Sequence, residues 1–237
     1  MSNRYIPAEI RRNLRQEARF GCVLCGSPII EYHHIVPFHE IKKHIEEKMV
    51  VVCPEHHHRA DCGEVPREVL YRAKKSPYNL KNEVISKDFF LRDYDHLKIK
   101  AGSNTFIRTP ELIVVDGEPL LEIHKDEGIA KIDAKFYNRH NKLLAEIINN
   151  EWFAYRSSEF WDVQYSPGHL KINRSAGNIL MDFKFHDDIV NLTARMYFNG
   201  HIIDLQPNQT VLGNNTISNS VIADCEAGIV LNYGHKK

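Results

Sequence analysis

The sequence predicts an α+β protein, with a small metal-stabilised N-terminal domain followed by an all-β domain. A Cys-x2-Cys pair at residues 22 and 25 and a Cys-x2-His pair at residues 53 and 56 offer four ligands for a tetrahedral metal site. From residue 104 onward, short apolar runs recur at intervals of about ten residues between Gly, Asn and Pro, which is typical of β-strands joined by turns. The chain has 237 residues and a hydrophobic content of 43%, which suffices for two cores.

Composition narrows the class of protein. Basic and acidic residues are equal in number, 31 of each, so net charge gives no indication of a nucleic-acid or membrane partner. The five cysteines are an odd number, and three of them fit the metal-ligand pattern, which argues against a disulfide framework and for a reducing compartment. No apolar run follows Met1, and none approaches the roughly 20 residues that a membrane-spanning helix needs. We therefore expect a soluble, cytoplasmic protein without a membrane partner.

The first predicted element is a basic helix over residues 7–19. Pro7 suits the first helical position, where no amide hydrogen is needed, and Ile10 and Leu14 form a narrow apolar stripe. The remaining surface is basic, and it is either a solvated face or a phosphate-binding face. The side chains that would contact nucleic acid are Arg11, Arg12 and Arg15.

The elements of the metal-binding region follow in close succession. A tight turn is predicted around the first cysteine pair, then a strand that a proline ends, a charged helical or looped segment, a short apolar strand and two helices. Their predicted ranges are 21–26 for the turn, 29–36 for the first strand, 38–48 for the charged segment, 49–52 for the second strand, 54–59 for the first helix and 66–75 for the second.

The pattern divides the chain into a metal-binding domain over residues 1–78, a linker over 79–103 and a β-rich domain over 104–237. The β-rich domain has the short runs expected of a sandwich, and its last part also resembles the coils of a short β-solenoid, so both architectures stay open. It would serve as a sensor, a targeting module or a surface for homo-oligomerisation.

Three blocks of sequence, RFGCVLCG at 19–26, EYHHIVP at 31–37 and VVVCPEHH at 50–57, stand in the order and spacing of a known nuclease family. Through them, residues 7–75 resemble the HNH endonucleases, which have a ββα-metal fold on a treble-clef zinc scaffold. The resemblance implies metal-dependent hydrolysis of DNA phosphodiester bonds, with double-stranded DNA as the expected partner. A role in restriction or phage defence would fit a nuclease controlled by a second domain.

By the same resemblance, a structural Zn²⁺ would be held by Cys22, Cys25, Cys53 and His56. The family more often has cysteine as the fourth ligand, so His56 is a departure, but a chemically acceptable one, because Cys3His zinc sites are common. Cys62 competes with His56 for the fourth position.

The resemblance also assigns a catalytic site to three further imidazoles. His33 and His57 would bind a catalytic divalent cation, and His34 would be the general base that takes a proton from water. Imidazole ligands favour softer ions, so Mn²⁺, Ni²⁺ or Zn²⁺ should bind at least as well as Mg²⁺.

One departure from the family pattern affects this catalytic site. The family's middle asparagine corresponds to Lys48, which cannot accept a hydrogen bond or bind a cation while it is charged. Either another residue, such as His44, orients the base, or Lys48 contacts phosphate, or activity is reduced.

Two other functions compete with the endonuclease hypothesis. The first is a non-catalytic zinc module that binds nucleic acid or protein, which the lysine at position 48 favours. The second is a structural or carbohydrate-binding β protein with a vestigial front domain. That reading rests on the aromatic residues Trp152, Phe153, Phe160, Trp161 and Tyr165, which would line a binding face or belong to the core.

Overall fold

The computed structural model describes residues 5–155 and 157–234 and shows a mixed α+β fold dominated by β-sheet. The described α-helices all lie in the first 75 residues, where polar and helix-favouring residues dominate, whereas the alternating apolar runs behind them form strands. The helices are α1 (Ala8–Glu17), α2 (Phe38–Ile41), α3 (Pro54–Asp61) and α4 (Arg67–Lys75), with 3-10 turns at Glu46–Lys48 and Tyr78–Leu80.

The N-terminal region is built on a two-stranded antiparallel sheet. Strands β1 (Glu31–His34) and β2 (Met49–Val52) pair so that His33 lies opposite Val50. The run Met-Val-Val-Val of β2 is buried on both sides, because α1 and α4 also pack against it. Helix α3 begins at the second residue beyond β2, with Pro54 at its first position, so the chain turns directly from the strand into the helix.

The rest of the chain forms two large sheets, of seven and ten strands. The seven-stranded sheet has the order β19-β6-β7-β8-β9-β10-β3, and the ten-stranded sheet runs from β11 to β17 with β4, β5 and β18 attached. The strands are β3 (Val84–Asp88), β4 (Lys98–Ala101), β5 (Asn104–Ile107), β6 (Glu111–Val115), β7 (Glu118–Asp126), β8 (Ile129–Tyr137), β9 (Leu143–Ile148), β10 (Glu151–Tyr155), β11 (Asp162–Ser166), β12 (His169–Ser175), β13 (Asn178–His186), β14 (Ile189–Phe198), β15 (His201–Gln206), β16 (Gln209–Leu212), β17 (Asn215–Ile217), β18 (Val221–Ala223) and β19 (Ala227–Leu231).

Most neighbouring strands in these sheets are also neighbours in sequence and run antiparallel. The parallel pairs are β4 with β14, β5 with β18 and β6 with β19. The inward faces of both sheets contribute to one hydrophobic core that includes Phe136, Trp152 and Phe183. Of the two architectures that the sequence left open, this pairing fits stacked antiparallel sheets, because a solenoid would repeat parallel pairs from coil to coil.

The segment predicted as a linker, residues 79–103, contributes strands to both sheets. Strand β3 pairs with the edge strand β10, and β4 pairs with β5 and β14. The expected boundary at residues 103 and 104 therefore falls in the turn between two paired strands. The mixed charge of this segment concealed the strands, because edge strands and half-exposed strands carry charged residues on their solvent side.

Helix α1 joins the N-terminal region to the ten-stranded sheet. The Arg15 guanidinium binds the Asp162 carboxylate on β11, and the Gln16 amide donates to the Trp161 carbonyl at 2.7 Å. An isolated parallel bridge between Ile29 and Tyr165 lies beside this contact. Within the described ranges, no helix is long and apolar enough to cross a membrane.

Candidate metal centre

The four residues of the predicted zinc set come together in the structure. The ligand atoms of Cys22, Cys25, Cys53 and His56 all lie within 4.8 Å of one another. The Cys25 and Cys53 sulfurs are 3.8 Å apart, and Nδ1 of His56 is 3.2 Å from the Cys53 sulfur. Two thiolates at about 2.3 Å from a tetrahedral zinc ion lie about 3.8 Å from each other, so the cluster is compatible with a structural zinc.

A tight turn positions the first cysteine pair. The Cys22 amide donates to the Ser27 carbonyl and the Gly26 amide donates to the Cys22 carbonyl, both at 2.8 Å. Gly26 has a φ of +79°, and a Cβ atom there would stand 2.4 Å from the Asn79 side chain. Glycine is therefore required both by the backbone conformation and by the close approach of Asn79.

Burial raises the pKa values of two cysteines in this cluster. Burial and the neighbouring Cys22 sulfur raise the pKa of Cys25 to about 12, and burial also raises the pKa of Cys22. Thiols that hold their protons this firmly need a cation to become thiolates, which is what a zinc ion supplies when it binds.

The alternative fourth ligand, Cys62, lies outside the cluster. It follows α3 on the exposed surface, where its sulfur is 3.7 Å from Nε2 of His58. His56 faces the cluster because it lies on the first turn of α3, three residues beyond Cys53. The structure thus brings His56 to the other three ligands and leaves Cys62 away from them.

A second cluster of ligand atoms lies between β1 and α3. His33 from β1 meets His57 and Asp61 from α3, with their ligand atoms again within 4.8 Å of one another. Nδ1 of His33 is 3.3 Å from the Asp61 carboxylate, and Nε2 of His57 is 3.8 Å from it. Two imidazoles and one carboxylate form a ligand set that suits a divalent transition-metal ion.

The other nitrogen of His57 is held by a carboxylate. Its Nδ1 bonds to Glu31, at the start of β1, while its Nε2 faces Asp61. Metal-binding histidines commonly donate their second ring N–H to a carboxylate, which fixes both the tautomer and the ring orientation. The resemblance assigned His33 and His57 to the cation but included neither Glu31 nor Asp61. The four-residue spacing of His57 and Asp61 on a helix is a signal that could have pointed to Asp61.

His34 adjoins this cluster and has a different partner. Its Nε2 is 3.1 Å from Nδ1 of His44, and the Phe38 ring stacks on His44 with the centroids 4.9 Å apart. His33, His34, His57 and Asp61 line one open groove of about 650 Å³, which Arg67 also lines. The groove therefore combines a possible cation site with an imidazole that is not part of that site.

Burial also shifts the two adjacent histidines of β1. It lowers the pKa of His33, with a further lowering from His57 that Asp61 partly offsets. Burial lowers the pKa of His34 as well, and the neighbouring His44 and His57 add to this effect. Both rings accordingly favour the neutral form, in which an imidazole has a lone pair available for a metal ion or a proton.

Arg15, one of the predicted nucleic-acid contacts, is engaged inside the protein. It is 7% exposed, and its Nε donates to the Asp162 carboxylate at 2.8 Å while Nη2 bonds the second oxygen. Nη1 donates to the Tyr32 hydroxyl. These bonds use the guanidinium donors that a DNA phosphate would need.

The other arginines of α1 also have partners within the molecule. Arg11 donates to the Tyr5 hydroxyl at 2.7 Å, and the Arg12 guanidinium stacks over Trp161, 4.5 Å from the ring centroid. Arg12 and Arg15 of the basic helix α1 therefore contact the β-rich part of the protein and join it to the N-terminal region.

Lys48 lies at the end of the 3-10 turn that leads into β2. Its carbonyl accepts hydrogen bonds from the amides of Ile35 and Val36, so its backbone closes the hairpin of β1 and β2. The side chain that contacts Nε2 of His34 is that of His44.

Comparisons with protein-family models, with curated proteins and with solved structures found no significant match to this chain.

Proposed function

We propose that this protein is a metal-dependent endonuclease of the HNH type that hydrolyses DNA phosphodiester bonds. The observation that supports it most directly is the convergence of His33, His57 and Asp61 within 4.8 Å, in an open groove that His34 also lines. A zinc-compatible cluster beside it, and a β-hairpin followed directly by a helix, are what a ββα-metal nuclease on a treble-clef scaffold requires.

In this proposal the residues of the groove divide the work. His33, His57 and Asp61 would hold the divalent cation, which supplies Lewis-acid stabilisation of the charge on the phosphate and the leaving oxygen. Glu31 orients His57 through the nitrogen that does not face the cation site. His34 takes a proton from the attacking water as general base.

His44 would take over the orienting role that an asparagine has in the family. When Nε2 of His34 carries the hydrogen and donates it to Nδ1 of His44, the lone pair of His34 lies on Nδ1, where it can accept a proton from water. Phe38 fixes His44 by stacking on it. His44 is thus a positioning residue, and Lys48 is free to contact a phosphate.

The DNA contacts are reassigned accordingly. Arg15 is occupied by Asp162, whereas Arg67 lines the groove and forms an exposed ion pair with Glu40 at 3.3 Å. Exposed ion pairs are weak, so Arg67 can exchange Glu40 for a phosphate oxygen at little cost. Arg67 and Lys48 are therefore the cations that we expect to face the DNA backbone.

A plasmid-nicking assay with added Mg²⁺, Mn²⁺ or Ni²⁺ tests the proposal. Wild type should convert supercoiled plasmid to nicked or linear forms, and His34→Ala should lose at least about a hundredfold in rate, which is the low end of what a general base contributes. His39→Ala, an exposed histidine on α2 outside the groove, is the matched control and should cleave like wild type. Equal cleavage by wild type and His34→Ala would contradict the proposal.

The second candidate is a zinc module that binds DNA without cleaving it. It is favoured by the lysine at position 48, where the family pattern has an asparagine. Plasmid that is retarded on a gel but stays supercoiled with every metal ion tested would support it.

A further inference from the structure

A second cleft lies where the N-terminal region, the segment after α4 and the ten-stranded sheet meet. Its volume is about 490 Å³, and its walls come from the end of α1, from residues 79–85, from residues 157–161 and from β12. Small-molecule sites typically enclose about 300–1,000 Å³ and often occur between domains. This cleft is separate from the groove of His34, which different residues line.

The cleft contains a guanidinium for which the protein supplies little compensation. Arg174 lines it from β12, and its Nε and Nη2 are sealed from water without a hydrogen-bond acceptor among the described residues. Burial lowers the pKa of Arg174, and Glu159 offsets this only in part. The Glu159 carboxylate also accepts a hydrogen bond from Asn138 at 2.6 Å.

Arg174 is only partly buried, but its two sealed donors are unfavourable, because they have lost water and gained no hydrogen bond in exchange. An anion in the cleft would offset this charge at short range, where the protein interior screens it weakly. Arg19, two residues beyond the end of α1, lines the same cleft and adds a second positive charge, and Glu83 is the carboxylate that the described residues contribute to the lining.

The remaining walls suit a flat ring. Phe20, Phe160 and Trp161 line the cleft, and Arg12 stacks on the Trp161 ring, which fixes the orientation of the indole. Aromatic side chains bind planar heterocycles by stacking, and guanidinium groups bind phosphate through paired donors. Ser157 and Ser158 also line the cleft.

We propose that this cleft binds a nucleoside monophosphate, with the phosphate near Arg174 and Arg19 and the base against the aromatic wall. The ligand would touch both parts of the chain, since Arg19 and Phe20 belong to the N-terminal region and Arg174 to the β-rich region. Its binding would therefore tighten the joint that Arg15 and Asp162 already make. The proposal does not depend on nuclease activity.

Calorimetric titration of the zinc-loaded full chain with AMP, GMP, CMP and UMP tests this site, with adenosine and inorganic phosphate as partial ligands. We expect at least one nucleotide to bind with a submillimolar Kd and both partial ligands to bind at least about tenfold more weakly. Since Trp161 lines the cleft, the same nucleotide should change its fluorescence in a Trp152→Phe background.

Two variants separate the cleft from general charge effects. Arg174→Gln should weaken binding at least about tenfold, because it removes the positive charge that the phosphate would offset at short range. Arg139→Gln is the matched control, because it removes an exposed guanidinium close to Arg174 but outside the cleft, and it should bind like wild type. Arg19→Gln, at the second arginine that lines the cleft, should weaken binding to a smaller extent, and it tests the site independently of any misfolding of Arg174→Gln.

Three outcomes would overturn the proposal. The first is that no nucleotide binds at millimolar concentration. The second is that Arg174→Gln and Arg19→Gln both bind as wild type does. The third is that inorganic phosphate binds as tightly as the best nucleotide, which would leave the aromatic wall without a role.

Discussion

Asp61 lies four residues beyond His57, so the two side chains share one face of α3 and both reach His33 across the hairpin. If these three residues hold a cation, removing the carboxylate charge removes one ligand of three. We expect Asp61→Asn to lower the affinity of the second site for Mn²⁺ at least about tenfold. Replacing a residue that only supports a metal ligand already costs about tenfold or more, so the loss of a ligand should cost at least as much. Calorimetric titration of zinc-loaded protein with Mn²⁺ measures this directly.

Glu55→Gln is the control for that titration. Glu55 also lies on α3 and carries the same charge, but its contact is an exposed pair with Arg59 at 3.6 Å. Its replacement should leave the Mn²⁺ affinity within about twofold, because an exposed charge is screened by water. An unchanged affinity in Asp61→Asn would show that Asp61 is not a ligand.

At the scale of residues, the sequence predicted those contacts that short spacing determines. Cys22 and Cys25 share one turn, and Cys53 and His56 lie at the start of a helix, so short spacing brings the two members of each pair together. That the two pairs form one site was predicted from the family pattern. Contacts that depend on how separate elements pack, such as Glu31 with His57 or Arg15 with Asp162, left no pattern along the chain. The burial of Arg15 could not be predicted, because an arginine at this position is equally compatible with the solvent-exposed face of a helix.

At the scale of elements, α1 has a role that its basic composition concealed. Arg15 forms a two-point ion pair with Asp162, in which the side chains are 8% and 3% exposed, and Gln164 and Tyr32 complete the network. Removing one partner of a buried ion pair leaves the other charge buried without compensation and lowers the free energy of unfolding by about 3–5 kcal/mol. Replacing both partners by apolar groups often leaves that free energy unchanged. Chemical denaturation should therefore show Arg15→Met and Asp162→Leu each to be strongly destabilised, and the double variant to recover much of the loss.

The pair of Arg108 and Asp224 is a matched comparison for this cycle. It has the same two-point geometry, with bonds of 2.6 and 2.7 Å, but both side chains are exposed. Water screens this pair, so Arg108→Met should change the free energy of unfolding very little. If Arg15→Met were as mild as Arg108→Met, the network would not be what holds α1 to β11.

The bounds of an element were predictable from the sequence where a single clear signal, such as an apolar run or a proline, marked them. The apolar run of β2 gave its limits, residues 49–52, and Pro54 marked the start of α3. Strands β3 and β4 were missed, because β3 is half-exposed at a sheet edge and β4 alternates lysines with buried Ile99 and Ala101 over only four residues. A run that short carries too little periodicity to be separated from a linker.

At the scale of the whole molecule, the described residues form two hydrophobic cores of unequal size. The small core, around Leu14, Met49 and Leu70, belongs to the N-terminal region, and the large one fills the space between the sheets. A core as small as the first supplies only about 3–5 kcal/mol, whereas zinc binding to small domains contributes about 10–16 kcal/mol. The N-terminal region should therefore depend on its metal for folding, and the β-rich region should not.

Metal removal from the full chain can show this difference, because the described α-helices lie in the N-terminal region and Trp152 lies in the large core. In a Trp161→Phe background, a strong chelator or Cys25→Ser should abolish the helical circular-dichroism signal and release about one zinc per chain, while the Trp152 emission stays that of a buried indole. Cys62→Ser, an exposed cysteine outside the cluster, should keep both the zinc and the helical signal. A red shift of Trp152 emission in step with the loss of helix would contradict this prediction, because it would mean that the two cores unfold as one unit. The contacts of α1 with β11 would then be strong enough to make their unfolding cooperative.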